Sequence, residues 1–225
     1  MRTSDKSSRI DLGRLAAVAI FAYFMVINIL AVQKHLNAFF PFHPVKCLVM
    51  AHLLLAAAFY VLIVALYWMR DKASATTRSF PARLIAVMAT FLPFLIPVLG
   101  NPARTGHFPS LTILVTSILI MLSGMAFTMA AVGTLGKNFS LIPQVRKLVV
   151  RGPYRLVRHP IYLGEIISLI GLILPGVSTL RIFVFLLMVG CQIYRSIQEE
   201  KLLTTVFPEY ADYAAKTARF LPGLF

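Results

Sequence analysis

Eight carboxylates serve this whole 225-residue chain, and two of them, Glu199 and Glu200, are adjacent. They belong to Arg195-Ser-Ile-Gln-Glu-Glu-Lys-Leu-Leu203, just past an apolar run. Arg195 stands four residues before Glu199 and shares its face on a helix. Such a pair can be a solvated contact worth roughly a few tenths of a kcal/mol, or it can present both charges to a ligand. A second cluster comes earlier, in Arg151-Gly-Pro-Tyr-Arg-Leu-Val-Arg-His-Pro-Ile-Tyr-Leu-Gly-Glu165. Pro160 suits the first position of a helix, where its missing N–H would be unpaired anyway. His159 then takes the cap position, and Tyr162 and Glu165 follow at three-residue spacing on one face. The free N–H groups and positive dipole end of that helix make an anion site. Arg158 sits there against the dipole, a cost that makes sense if it meets a carboxylate. The competing reading is an interfacial belt, with Arg and Tyr anchoring a helix at lipid headgroups.

The elements that must hold these residues are apolar. Hydrophobic residues make up 59% of the chain and charged ones 13%, against roughly 25% charged in an ordinary soluble domain. Mean hydropathy is +0.81. A soluble globule and a disordered chain are both excluded, and a helical membrane protein is expected. A bilayer core takes about 20 apolar residues as helix. The runs 15–32, 47–69 and 111–132 reach or approach that length without a charge. The run 84–99 is shorter and holds Pro93 and Pro97, so a kink or irregular stretch is expected there. The runs 161–174 and 182–194 flank Pro175-Gly176-Val177-Ser178-Thr179, a turn signal. They predict a helical hairpin whose second helix continues into 195–203. The expected fold is therefore all-α and polytopic, with about four full spans, a C-terminal hairpin and a cytoplasmic amphipathic tail. Residues 1–135 would form an N-terminal scaffold and substrate half, and 136–225 the half that carries the chemistry.

Net charge is +14, from 22 Lys+Arg against 8 Asp+Glu. The bases lie between apolar runs, so membrane lipids rather than nucleic acid are the expected partner. With that span count, 18 of the 22 fall on the side of both termini and of residues 133–159, which places that side in the cytoplasm. Cys47 and Cys191 lie inside apolar runs, and no Cys/His spacing suits a metal. The first apolar run is too long for a signal-peptide core and is read as a retained span. His52 reads as a packed or interfacial residue, and His35, His43 and His107 receive no role.

Gly152-Pro-Tyr-Arg-x-x-Arg-His-Pro-x-Tyr-x-Gly164, then a hairpin, Glu199-Glu-x-x-Leu203, Tyr210-x-x-Tyr213 and a Pro-Gly ending together resemble the isoprenylcysteine carboxyl methyltransferase family. They are similar also to the related phospholipid N-methyltransferases. Leu135-Gly-Lys-Asn-Phe-Ser140 resembles the segment that precedes the motif, so the likeness covers 136–225. It implies an S-adenosylmethionine-dependent methyltransferase with a cytoplasm-facing cofactor pocket. Gly152, Tyr154, Arg158, His159, Tyr162, Leu163 and Gly164 would line that pocket, with Glu199 and Glu200 closing it. Arg195 matches a basic residue associated with the acceptor's reacting end. Pro208 departs from the family, where many relatives have Gly, and the first 135 residues carry no family signature that would name the acceptor.

The resemblance implies a lipophilic methyl acceptor and no metal. A sulfonium suits the face of Tyr154 or Tyr162 through cation–π attraction. A carboxylate acceptor needs no base and would be positioned by Arg195. An amine or phenol must lose a proton, with His159 or Glu165 as the candidate base. An acid on a membrane helix is costly, which marks Glu165 for function. Two other classes remain open. Membrane sterol and steroid reductases share a similar C-terminal half but bind NADPH, often with Asn where Ile161 stands here. A transporter or structural protein would spread polar residues through several spans, and the first four runs hold almost none.

Overall fold

Long apolar segments leave their backbone polar groups no partner except one another, so they fold as helices. The computed structural model describes residues 44–68, 75–76, 79–99, 109–135, 144–145 and 148–221, with a few helical positions between 22 and 30. Helices α1 (Pro44–Trp68), α2 (Phe80–Val98) and α3 (Leu111–Leu135) come first. Next are a 3-10 turn (Gly152–Arg155), α4 (Pro160–Ile173), a second 3-10 turn (Leu174–Gly176), α5 (Thr179–Val206) and the short α6 (Tyr210–Lys216). The other regular structure is a two-residue antiparallel ladder. It pairs β1 (Ala75–Thr76) with β2 (Gln144–Val145) and so ties the α1–α2 connection to the α3–α4 connection.

Among the described helices, α3 and α5 are long and apolar enough to cross a membrane. The run expected at 15–32 lies mostly outside the described residues. The run at 84–99 appears as α2, helical without a break through Pro93 and Pro97. Each proline removes one N–H from the ladder, but neighbouring helices hold the segment in helical form. Ser79 caps the start of α2 through Ala82 N–H at 3.4 Å. The hairpin forms as expected. Ser178 caps α5, and α5 runs 28 residues, past the apolar stretch and into the polar one.

The two helices of the hairpin are not each other's main neighbours. α4 packs chiefly on α3, and α5 packs chiefly on α2. The α3–α4 crossing is made of small residues. A Cβ on Gly164 would lie 2.8 Å from Gly124 O and 2.9 Å from Thr128 N. One on Gly171 would lie 2.7 Å from Ser117 O. Small side chains let the two backbones touch, the usual device where lipid offers no hydrophobic drive for association. The apolar core gathers Ala89, Leu92 and Ile96 of α2, Met121 of α3, Leu169 and Leu172 of α4, and Met188 of α5. It lies toward the hairpin turn. His52 is buried at that end. Ser117 Oγ donates to Gly171 O at 2.8 Å and meets His52 Nδ1 at 2.8 Å, so His52 joins α1 to α3 and α4. Cys47 and Cys191 are both free thiols.

Candidate functional site

The site begins where the chain re-enters the bundle. Gly152 has φ +59°, a left-handed conformation that glycine adopts without strain, and a Cβ there would lie 2.8 Å from Thr134 Oγ1. The 3-10 turn after it buries Tyr154, whose carbonyl accepts from Tyr213 Oη–H at 2.6 Å. Burial pushes the Tyr213 hydroxyl up to about 12 and that of Tyr154 higher still, so both stay protonated. Residues 157–159 then pair with the segment after α6. Val157 and Ala218 form a parallel bridge, Arg158 N–H donates to Ala218 O at 2.8 Å, and His159 N–H donates to Arg219 O at 3.2 Å. This pairing fixes the start of α4, where His159 holds the cap position and Pro160 follows.

From that start, α4 sends side chains across to α5. Tyr162 Oη–H donates to Glu199 Oε1. Two turns deeper along α5, Gln192 Nε2 donates to Glu165 Oε2 at 2.5 Å, and Gln192 Oε1 accepts from Arg195 Nη1 at 3.2 Å. The Arg195 guanidinium lies over the Tyr162 ring, 4.6 Å from its centroid. His159 stacks parallel to the same ring at 5.4 Å. Gln192 and Arg195 are 1% and 3% exposed, so Arg195 is not a solvated surface charge. From Gln192 to Glu200 this polar seam spans about 12 Å of helix axis.

At the outer end several donors converge on one carboxylate. Arg219 binds Glu200 through Nε at 2.9 Å and Nη2 at 2.7 Å, a bidentate pair. His159 Nε2 meets Glu200 Oε1 at 3.0 Å, and Arg158 Nε lies 3.2 Å from the same oxygen. Glu200 lies beyond the apolar run of α5. Burial alone would raise its carboxyl, but the bonds from His159 and Arg219 and the charge of Arg158 outweigh burial and hold it down at about 2. It is a carboxylate at any physiological pH. His159 Nδ1 is also 3.8 Å from Glu199 Oε2, so the histidine stands between the two acids.

Seven of the residues singled out from sequence therefore meet in one place: Arg158, His159, Tyr162, Glu165, Arg195, Glu199 and Glu200. Tyr154 packs at the edge of this group with Ala131, Ile161 and Tyr162. Gly152 and Gly164 have other surroundings, the first shaping the entry turn and the second facing α3. Leu163 is half-buried, and its N–H donates to His159 O at 3.1 Å. Sequence reasoning missed Gln192, Arg219 and Phe220, whose ring lies 5.8 Å from that of His159. Gln192 carried a usable signal, an amide inside an apolar run. Arg219 carried none, because only the folded tail brings it to Glu200.

A polar seam between two apolar helices, with paired acids, arginines and a stacked tyrosine, is the candidate site of this helical protein. The chain matches the phospholipid methyltransferase family over residues 97–210 and belongs to that family. Among curated proteins it is similar to the "Cobalt-zinc-cadmium resistance protein CzcN" of Cupriavidus metallidurans, 33% identical over 115 residues, 49% of this chain and 52% of the relative. It is similar also to the "Nickel-cobalt-cadmium resistance protein NccN" of Alcaligenes xylosoxydans xylosoxydans, 32% identical over 127 residues, 53% and 57% of the two chains. The chain thus spans about half the length of these curated relatives.

Proposed function

We propose that this protein is a membrane S-adenosylmethionine-dependent methyltransferase acting on a lipophilic acceptor, with its site open to the cytoplasm. The family supports methyl transfer, and the seam between α4 and α5 is the observation that carries the reading. Its donor set fits the cofactor. Glu199 offers a carboxylate to an ammonium or ribose hydroxyl. Arg158 offers a cation to a carboxylate, as it already does to Glu200, from which its Nε lies 3.2 Å. The Tyr162 ring already carries a cation on its face, which supports a sulfonium as its partner. Once bound, the cofactor supplies a methyl group that is already electrophilic. The protein's task is to bind, orient and exclude water.

Arg195 and Glu165, at the deep end of the seam, would meet the acceptor. Arg195 would position an anionic acceptor, and Glu165 would take the proton from an amine or hydroxyl. Isoprenylcysteine carboxylate and phospholipid amine are the two acceptor types closest to the family's names. In this reading 136–225 is the cofactor half and 1–135 the scaffold that admits the acceptor's apolar tail from the bilayer. The chain is multi-pass, with both termini in the cytoplasm. Among the described residues no group of three or more His, Cys, Asp or Glu is placed to hold a metal ion.

The test is calorimetric titration of the detergent-purified protein with S-adenosylmethionine and, separately, NADPH. S-Adenosylmethionine should bind, with affinity lost by about 100-fold or more in His159→Ala and in Glu200→Ala. Binding of NADPH alone would move the chain to the reductases. Unchanged cofactor affinity in both variants would sink the site assignment.

A further inference from the structure

We infer that Arg219, together with Arg158, forms the subsite for the carboxylate at the cofactor's methionine end, and that Glu200 is the brace that sets the two guanidinium groups. The inference rests on the methyl-transfer reading above. It begins from an imbalance of charge. Two arginines and a histidine converge on the single carboxylate of Glu200. Beside them lies a cavity of about 450 Å³ whose charged lining is Arg158, Lys216 and Arg219, with no carboxylate. Glu200 cannot neutralise both arginines, and the excess is partly shielded from water, with the Arg219 side chain 29% exposed. The side chains of Arg158 and Glu200 are 11% and 13% exposed. A cationic excess kept partly out of water is costly unless an anion comes to it.

The remaining donors point to the same ligand chemistry. Arg219 spends Nε and Nη2 on Glu200, while its Nη1 makes no hydrogen bond among the described residues. Arg158 spends Nη1 on Ala214 O at 2.9 Å, and its Nε lies 3.2 Å from Glu200 Oε1 without making a hydrogen bond among the described residues. Glu200 therefore anchors one edge of the Arg219 fork and leaves donors over for a second, planar anion. The start of α4, a helix of 14 residues, adds its positive end at the same point. An adjoining cavity of about 500 Å³ is lined by Glu200, Arg219 and Tyr210, and the Tyr210 hydroxyl is buried with no hydrogen-bond partner among the described residues. The residue next to Glu200 on α5 is Glu199, an acid suited to an ammonium. A zwitterionic amino-acid group matches this arrangement, with its carboxylate on the arginines and its ammonium on Glu199. A lipid phosphate would satisfy the arginines but leave Glu199 unexplained.

The probe is decarboxylated S-adenosylmethionine, which lacks only the group in question. Both ligands are titrated calorimetrically into the full chain in detergent. Wild-type protein should bind S-adenosylmethionine about 30-fold tighter than the decarboxylated compound, the size expected of one charge-assisted bidentate contact. In Arg219→Met that preference should shrink to about threefold or less, with affinity for the decarboxylated compound unchanged. Arg219→Lys, which keeps the charge without the fork, should fall between. Equal affinity for the two ligands in wild-type protein would overturn the subsite, and this holds even where Arg219→Met fails to fold. Arg219 variants that weaken both ligands alike would also overturn it, as they would reveal a purely structural arginine. A wild-type preference retained in Arg219→Met, with loss instead of the thermal stabilisation given by phosphatidylglycerol, would assign the cations to lipid phosphate and overturn it too. Wild-type protein that binds neither compound would refute the methyl-transfer reading itself.

Discussion

Helix α4 has two faces that solve opposite problems. Toward α3 it presents Gly164, Ser168 and Gly171, and the backbones touch. Toward α5, its neighbour in the chain, it presents His159, Tyr162 and Glu165, and the two helices are joined by long polar side chains instead. The first seam has no slack, and the second is a gap filled with functional groups. One side of α4 is thus closed by backbone contact and the other bridged by polar side chains. Backbone contact on one side supplies the rigidity that lets the other side hold charged groups apart at ligand-sized spacing.

The comparison can be broken most severely at the close seam. Gly164→Val places a branched side chain against Gly124 O and Thr128 N. It should destabilise the protein by about 2–3 kcal/mol or prevent folding, seen as a large fall in the detergent melting temperature. A melting temperature equal to wild type would mean that the two backbones do not touch. The polar seam should respond in a different manner. Gln192→Leu strips Glu165 of its donor and should cost about 1–3 kcal/mol. Replacing both partners, Glu165→Leu with Gln192→Leu, should recover the part of that loss due to the unpaired Glu165, while the bond from Arg195 to Gln192 stays lost. Additive losses in the double variant would show that the two residues do not act as a pair. The smallest effect belongs to Ser117, whose hydroxyl ties α3 to Gly171 O and to His52. Ser117→Ala should cost about 1 kcal/mol, read from the same unfolding curves, and should leave S-adenosylmethionine affinity unchanged.

Much of this arrangement was legible in the residues. The three-residue spacing from His159 to Tyr162 to Glu165 put all three on one face, and that face meets α5. The Pro-Gly turn and Ser178 marked the hairpin, and the polar run after Tyr194 showed that α5 continues. Other features depend on distances that local patterns do not encode. Sequence neighbours suggest that α4 and α5 pack on each other, but α4 prefers α3 because only there do small residues face small residues. Gly164 sits within the motif that the family resemblance assigns to the cofactor, yet its missing side chain serves a helix crossing. Pro93 and Pro97 mark lost hydrogen bonds without marking a break, because packing by neighbours is a tertiary matter. Arg219 is 19 residues from Glu200, and nothing in its own surroundings announces the meeting.

The splayed hairpin bears on any attempt to move this site elsewhere. Residues 152–221 contain nearly every reactive side chain and look portable, a ready cassette for transplantation. Yet the width of the cleft does not reside in them. It is set by α3, which holds α4, and by α2, which holds α5. Grafted alone onto another scaffold, the two helices would lose the outer partners that hold them apart. The contacts of Tyr162 with Glu199 and of Gln192 with Glu165 would then lose the helix spacing that they depend on. The unit that can be inherited, recombined or redesigned is therefore the four-helix frame, and the cassette is its lining.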